Sequence, residues 1–225
     1  MQEDRIKYKM TNNPRGICLI INNIMFQDDG LKERTGSEVD EAYLDRIFNQ
    51  LGFHVDVRHN LSAQEMKDVM TEMQSKDHSY FDCFVCCILS YGQCDLIYGS
   101  DGETCDLLDL ASNFNINKCK SLHSKPKVFF VQACRLQNIE EDAKEDIPED
   151  ADFLFGTSAV PLSVSYRCKK HGSYFIRNLA LALEERHETD HILDILTLVN
   201  AEVSQQSNSG VPAPRYTLRK ALYFP

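Results

Sequence analysis

The sequence contains no run of eighteen or more apolar residues, the length that a helix needs to cross a bilayer. It also lacks a Lys- or Arg-rich block, and its formal net charge is −10. Binding to nucleic-acid phosphates requires a basic surface, so that class of function is disfavoured. The residues from Met1 to Lys9 are polar and charged, without the apolar segment of a secretory signal. We therefore expect a cytoplasmic chain that does not bind nucleic acid and has no membrane span.

The nine cysteines are odd in number and scattered over 225 residues, unlike those of a secreted disulfide scaffold. Cys83 and Cys86 have the spacing of a metal-ligand pair, but both lie in an apolar run. In a strand their side chains would point to opposite faces, which suits a metal poorly. We interpret the cysteines as small apolar residues of a reduced core, and we expect no metal or organic cofactor.

Short apolar runs alternate with amphipathic segments along the chain, and turn residues at 97–102 (IYGSDG) predict a hairpin. A mostly parallel sheet with helices on both faces is expected from this alternation. In such sheets, catalytic and ligand-binding groups gather beyond the carboxyl ends of the strands. The predicted strands cover residues 16–22, 53–57, 84–89, 127–131, 153–159 and 216–224, and the predicted helices cover 37–51, 62–73, 106–114, 173–186 and 192–203.

Several sequence segments resemble the caspase family. The run VFFVQACRL, with Gln132 and Cys134, resembles the signature Q-A-C-x-G. Other matching segments follow in the order of the family: YKMTNNPRGICLIINN, RTGSEVDEAYL, DHSYFDCFVCCILS, YGSDG, KPKVFFVQAC, DADFL, VSYR and YTLRKALYFP. The sequence is identified as a member of this family and is most similar to its death-receptor initiator type, the caspase-8 type, and to the inactive relative FLIP.

The resemblance implies an α/β, three-layer caspase-like fold with a six-stranded, mostly parallel sheet flanked by helices. A single catalytic domain is expected over residues 1–225. It would comprise a large-subunit region (1–136), an acidic intersubunit linker (137–151) and a small-subunit region (152–225). Two such domains are expected to pair through the last strand, at residues 216–224, either with a second copy or with a partner initiator caspase.

Cleavage after aspartate is the activity of this family, and the resemblance assigns a site for it. Cys134 corresponds to the nucleophile, and the amides of Gly92 and Cys134 to the oxyanion hole. The guanidinium groups of Arg34 and Arg167, together with the amide of Gln132, would hold the substrate carboxylate, for which a planar fork of donors is well suited. The alternative for both arginines is an ordinary surface charge.

The resemblance also implies further contacts with Asp-containing peptides. Ser165, Tyr166 and Arg167 would pair with the substrate main chain as an added strand. Tyr166 and Tyr174 would shape outer pockets, although Tyr174 replaces a family tryptophan and is alternatively a core aromatic residue. In the acidic linker, Asp142 and, less strongly, Asp146 resemble processing sites, and the alternative is a solvated loop that is not cut.

The chain departs from the family at the position that decides the chemistry. Tyr91 replaces the general acid–base histidine, and Gly92 follows it. The unperturbed pKa of imidazole is about 6.5, whereas that of a phenol is about 10, so a phenol cannot accept a thiol proton near neutrality. Leu136 also replaces the last glycine of the signature, where glycine allows torsions that a side chain resists. His171, on a loop near the expected pocket, is an alternative base.

Two departures beside a retained cysteine predict a catalytically impaired domain that regulates apoptotic signalling by dimerising with a partner caspase. The first alternative is an active Asp-specific cysteine endopeptidase that uses Cys134. The second alternative is a module that captures Asp-containing peptides without cutting them.

Overall fold

A computed structural model describes residues 6–28, 30–93, 95–134, 150–158, 167–168, 170–206 and 212–225. Of residues 134, 167, 168 and 213 it describes the main chain alone. In chain order the elements are β1 (Gly16–Asn22), α1 (Ser37–Gln50), β2 (His54–His59), α2 (Ala63–Ser75), β3 (Cys83–Gln93), β4 (Leu96–Tyr98), β5 (Thr104–Asp106), α3 (Leu107–Ala111), β6 (Lys127–Cys134), β7 (Phe153–Thr157), β8 (Arg167–Cys168), β9 (Gly172–Ser173), α4 (Tyr174–Arg186), α5 (Ile192–Gln206) and β10 (Ala213–Tyr216). Short 3₁₀ turns follow α3, at Ser112–Phe114, and precede β6, at Lys120–Leu122.

Six strands form the body of the central sheet, in the order β10–β7–β6–β3–β1–β2. The strands from β7 to β2 are parallel to their neighbours, and β10 is antiparallel to β7. The predicted hairpin is formed by β4 and β5, which extend the far end of β3. The mostly parallel α/β sheet expected from the sequence is therefore confirmed.

Helices cover both faces of the sheet, which explains the continuous apolar character of the strands. β1 is buried at every residue. Cys18 and Ile20 pack with α1, α4 and α5, whereas Leu19 and Ile21 pack with α2 and α3. We refer to these two faces as the α1 face and the α2 face. The two apolar layers fix the strands rigidly, so that their carboxyl ends form a stable edge.

Side-chain caps define where α2, α3 and α4 begin, and Asp106 is the cap of α3. The Ser62 hydroxyl accepts a hydrogen bond from the Glu65 amide at 3.2 Å, and the Glu65 carboxylate accepts one from the Ser62 amide at 2.8 Å. This reciprocal pair of hydrogen bonds is a capping box. At the start of α4, the Ser173 hydroxyl accepts a hydrogen bond from the Ile176 amide. Within the described ranges, no helix combines the length and the apolar character needed to cross a membrane.

The last strand differs from the prediction. A strand over residues 216–224 is wrong, because β10 ends at Tyr216. β10 runs antiparallel to β7 and reaches the first residue of β7, Phe153, where the Thr217 amide donates to the Phe153 carbonyl oxygen. Residues after Thr217 therefore have no part of β7 left to pair with. The chain then leaves the sheet, and Phe224 is buried in the core of the α1 face. The apolar positions that suggested a strand anchor an irregular tail.

Buried thiols make up part of the core. Cys83 packs on the α1 face and Cys86 on the α2 face, as expected for a strand, so their spacing does not form a metal site. Burial raises the pKa of the Cys105 thiol to about 11 and raises the pKa of Cys86 well above its usual value. The thiolate is the reactive form, so these cysteines are expected to be inert. The buried free thiols of the described chain are Cys18, Cys83, Cys86, Cys87, Cys105 and Cys119.

We expect iodoacetamide at neutral pH to leave these six buried thiols unmodified in the native protein and to modify them once the protein is unfolded in guanidinium chloride. Peptide mapping by mass spectrometry measures the labelled fraction at each cysteine. Rapid labelling of Cys86 or Cys105 in the native protein would contradict the core that we describe.

Candidate active site

The register of two parallel strands brings together the two residues on which the chemistry depends. In the pairing of β3 with β6, Tyr91 lies opposite Cys134, and Leu89 lies opposite Gln132. Cys134 is the last residue of β6, at the carboxyl edge of the sheet. Since catalytic groups of open α/β sheets gather at this edge, the main chain at Cys134 has the position expected for a nucleophile.

Gly92 follows Tyr91 in a place that has no room for a side chain. A Cβ atom at Gly92 would lie 2.8 Å from the Cβ of Ala133 and 2.8 Å from the carbonyl oxygen of Leu96. Such distances are too short for carbon contacts, so glycine is required here for close packing of β3 against β6 and β4. The sequence-based role of the Gly92 amide in an oxyanion hole stays a prediction.

Arg34 lies just beyond the carboxyl end of β1 and is fully buried, with 0% of its surface exposed. The interpretation of Arg34 as an ordinary surface charge is therefore wrong. Its Nη1 donates to the carbonyl oxygen of Asn23 at 3.0 Å and to the hydroxyl of Ser37 at 2.9 Å. The Ser37 hydroxyl in turn donates to the side-chain oxygen of Asn22 at 2.7 Å. This buried network fixes the guanidinium group at the edge that also carries Tyr91.

Tyr91 extends from the end of β3 toward Arg34. The centroid of its ring lies 5.9 Å from the Cζ atom of Arg34, within the range of a cation–π contact. Its hydroxyl donates to the carbonyl oxygen of Lys32 at 3.1 Å, and its ring lies 5.2 Å from that of Phe26. The phenol is thus held by the loop between β1 and α1.

Gln132 is also fully buried, two residues before Cys134 on the same strand. Val128 and Phe130 pack on the α1 face, so the alternation of β6 places Gln132 on that face too. The alternation of β3, with Leu89 on the α1 face, places Tyr91 there as well. The structure therefore gathers Arg34, Gln132 and Tyr91 on one side of the carboxyl edge.

Arg167 belongs to the small hairpin formed by β8 and β9, where it pairs with Ser173. α1 anchors this hairpin, because the Ser173 amide donates to the Asp40 carboxylate at 2.7 Å. A Cβ atom at Gly172 would lie 2.2 Å from the same carboxylate, so glycine is needed for this approach. The main chain at Arg167 is thereby tied to the helix that begins three residues after Arg34. Sequence reasoning did not identify Asp40 as the anchor.

The remaining predicted site residues divide into three groups. Tyr174 is half-buried and packs against the core of the α1 face, which supports its interpretation as a core aromatic residue. His171 is exposed on the turn between β8 and β9. Outside the described residues lie Ser165, Tyr166, Leu136, Asp142 and Asp146.

An ion pair that the sequence does not signal connects β10 with the turn after Gly92. Nη1 of Arg215 donates to the Asp95 carboxylate at 2.9 Å, and Nη2 contacts its other oxygen. Only 17% of the Arg215 side chain and 16% of the Asp95 side chain are exposed, so the pair is shielded from solvent. The guanidinium group also lies 5.7 Å from the ring centroid of Phe155. We call this contact the Asp95–Arg215 clamp.

No group of three or more His, Cys, Asp or Glu side chains in the described ranges is arranged to hold a metal ion. The described part of the site consists of the main chain at Cys134, a buried arginine, a buried glutamine and a tyrosine at one sheet edge. The resemblance assigns these residue types to a carboxylate pocket in a cysteine peptidase, and their roles here stay a prediction.

Comparison with known proteins agrees with that class. A family model described as "Caspase domain" matches residues 15–223, so the chain belongs to the caspase family. It is 38% identical to caspase-8 of Mus musculus and 38% identical to caspase-8 of Rattus norvegicus, in each case over 97% of this chain and 52% of the relative. It is 35% identical to caspase-3 of Bos taurus, over 96% of this chain and 87% of the relative. The chain thus spans about half the length of the caspase-8 proteins that it matches.

The Asp95–Arg215 clamp predicts energetic coupling between β10 and the turn after Gly92. Removing one partner takes this ion pair away from the other shielded charge, so Asp95→Asn and Arg215→Gln are each expected to lower the free energy of unfolding by about 1–3 kcal/mol. The double variant should lose much less than the sum. Urea unfolding of the four proteins gives the coupling energy, and additive losses would show that the two groups do not interact.

Proposed function

We propose that this caspase-family chain binds Asp-containing peptides, hydrolyses them poorly, and acts mainly by associating with a partner caspase. One observation carries the proposal: Tyr91 lies opposite Cys134, at the carboxyl edge of the sheet, where the family has its acid–base histidine. A nucleophile and a carboxylate pocket without a proton carrier favour binding over turnover.

Hydrolysis by a cysteine peptidase requires one group to take the proton of the thiol and to donate a proton to the departing amine. A phenol is unsuited to the first task near neutral pH. The geometry adds a second reason, because the hydroxyl of Tyr91 already donates to the carbonyl oxygen of Lys32, away from β6. Loss of general acid–base catalysis typically lowers the rate by about 10²–10⁴-fold.

The residues that the resemblance assigns to peptide binding are present. Arg34 is held at the sheet edge by Asn23 and Ser37, and Gln132 is buried on the same face of the sheet. With Arg167 on the anchored hairpin, these residues would supply the donors that recognise an aspartate carboxylate. An arginine buried in this manner stabilises a negative ligand more strongly than one in bulk solvent, since water screens it less.

Association with a partner is supported by the position of β10 at the edge of the sheet that the described residues form. This strand is the last of the sheet, and its residue Tyr216 is 47% exposed. An edge strand offers unpaired main-chain groups to a second strand. We therefore propose β10, in place of a strand over residues 216–224, as the pairing surface. Such pairing regulates the partner only if the active state of the partner binds more tightly than its inactive state.

An Asp-specific cysteine endopeptidase remains the second candidate, because Cys134 is retained at the end of β6. A free thiol is a few per cent thiolate at pH 7, so some nucleophilicity would survive without a histidine. Cleavage in the linker, at Asp142 or Asp146, would belong to this candidate or to the action of a partner.

Tyr91→His tests the catalytic part of the proposal. On an acidic tetrapeptide reporter that ends in Asp, the wild-type protein should be slow, and Tyr91→His should raise kcat/KM by about 10²–10⁴-fold by restoring proton transfer. Cys134→Ala, alone and combined with Tyr91→His, is the control for the nucleophile. If the wild-type protein is fast and Cys134→Ala abolishes its activity, the proposal is wrong. If Tyr91→His brings no gain, the defect lies elsewhere, with Leu136 as the next candidate.

Tyr216→Asp tests the association. A charge at the exposed edge of β10 should weaken pairing with an initiator caspase at least about tenfold, because strand addition would desolvate it. Tyr80→Asp is the matched control, since Tyr80 is 82% exposed and precedes β3, which lies three strands away from β10 in the sheet. Analytical ultracentrifugation and the activity of the partner are the measurements. If the wild-type protein neither associates with the partner nor alters its activity, regulation by pairing is refuted.

A further inference from the structure

The position of Tyr91 has a second consequence, which concerns access to the carboxylate pocket. Arg34 has 0% of its surface exposed, yet a guanidinium group must meet the substrate carboxylate directly to recognise it. In the described conformation the pocket cation is covered. A ligand can reach it only after a covering group has moved.

The guanidinium group itself is not free to move outward. Nη1 of Arg34 is bonded to the main chain of Asn23 and to the hydroxyl of Ser37, which is buried at the start of α1. The Arg34 amide also donates to the carbonyl oxygen of Ile24 at 2.9 Å. Since the arginine is fixed from the side of the core, its cover is the part that must shift.

Tyr91 has the position of that covering group. Its ring lies over the guanidinium group, and its hydroxyl reaches the carbonyl oxygen of the exposed residue Lys32 on the solvent side. Phe26, only partly buried, supports the ring from the same loop. These contacts of Tyr91 are made with the segment between β1 and α1, so the phenol bridges β3 and this loop.

We infer that Tyr91 is a gate over Arg34: an aspartate side chain enters the pocket only when the phenol leaves the Lys32 carbonyl oxygen and the face of the guanidinium group. The inference rests on the proposed peptide binding and adds a determinant of affinity to it. The substrate carboxylate and the ring compete for the same cation. The measured dissociation constant is therefore the intrinsic constant divided by the fraction of molecules in which the gate is open.

A tyrosine at this place thus impairs the site twice. It cannot shuttle protons near neutral pH, and it also occupies the approach to the aspartate pocket. The two effects are separable, because removing the ring opens the pocket without supplying an acid–base group. A histidine is too short to make the hydroxyl contact with Lys32, so Tyr91→His would relieve both effects together.

The experiment measures binding without turnover, in the Cys134→Ala protein. The probe is a fluorescein-labelled, C-terminally amidated peptide Ile-Glu-Glu-Asp, and the control probe ends in Asn. Tyr91→Phe keeps the ring and removes the hydroxyl contact, so it should tighten binding of the Asp peptide by about 3–10-fold. Tyr91→Ala removes the whole gate and should tighten it by about 10–100-fold. The affinity for the Asn peptide should change little, because its neutral side chain does not form an ion pair with the Arg34 guanidinium group.

A second measurement follows the arginine directly. Phenylglyoxal should modify Arg34 slowly in the parent protein and at least about tenfold faster in Tyr91→Ala, while Arg46, whose side chain is 44% exposed, reacts equally in both. Unchanged affinity for the Asp peptide in Tyr91→Phe and Tyr91→Ala would overturn the gate, and so would equal tightening for the Asp and Asn peptides. If Tyr91→Ala does not fold, the affinity of Tyr91→Phe for the Asp and Asn peptides is the deciding measurement. None of these results depends on catalysis, so failure of the gate is distinct from vigorous hydrolysis by the wild-type protein.

Discussion

The parallel pairing of β1, β3 and β6 is the constraint on which the site depends. Parallel strands end at the same edge, and the register of β3 with β6 sets Tyr91 against Cys134. Apolar layers on both faces hold this register, because a slip by one residue would turn every buried side chain to the wrong face. The chemistry of the edge is therefore decided by whichever residues occupy the strand ends.

At that edge the phenol has two distinct physical effects. As an acid–base group it is mismatched to neutral pH, and as a large ring it fills space that a smaller imidazole would leave open. The buried network around Arg34 makes the second effect important, since Asn23 and Ser37 prevent the guanidinium group from moving to a ligand. The peptide binding and the impaired turnover that we propose are consistent with one substitution, without a rearrangement of the fold.

Contacts between distant segments connect the edge with the rest of the molecule. The Asp95–Arg215 clamp links the outermost strand to the turn after Gly92, and Asp40 links α1 to the hairpin that carries Arg167. Through these contacts, a partner bound at β10 would act on elements that touch the site. Side-chain contacts thus link β10 to the turn after Gly92 and link the hairpin of Arg167 to α1, although these segments are distant in the sequence.

The sequence by itself determined the α/β class, the family, most strands and helices and the substitution at Tyr91, because these depend on local patterning and on short motifs. It was wrong about the last strand: alternation of apolar residues cannot reveal that β7 begins at Phe153 and leaves residues after Thr217 without a partner. Only the tertiary structure decided that Arg34 is buried under Tyr91 and that Asp95 pairs with Arg215. Such contacts join residues 57 and 120 positions apart, and no local preference records which distant partners the folded chain will bring together.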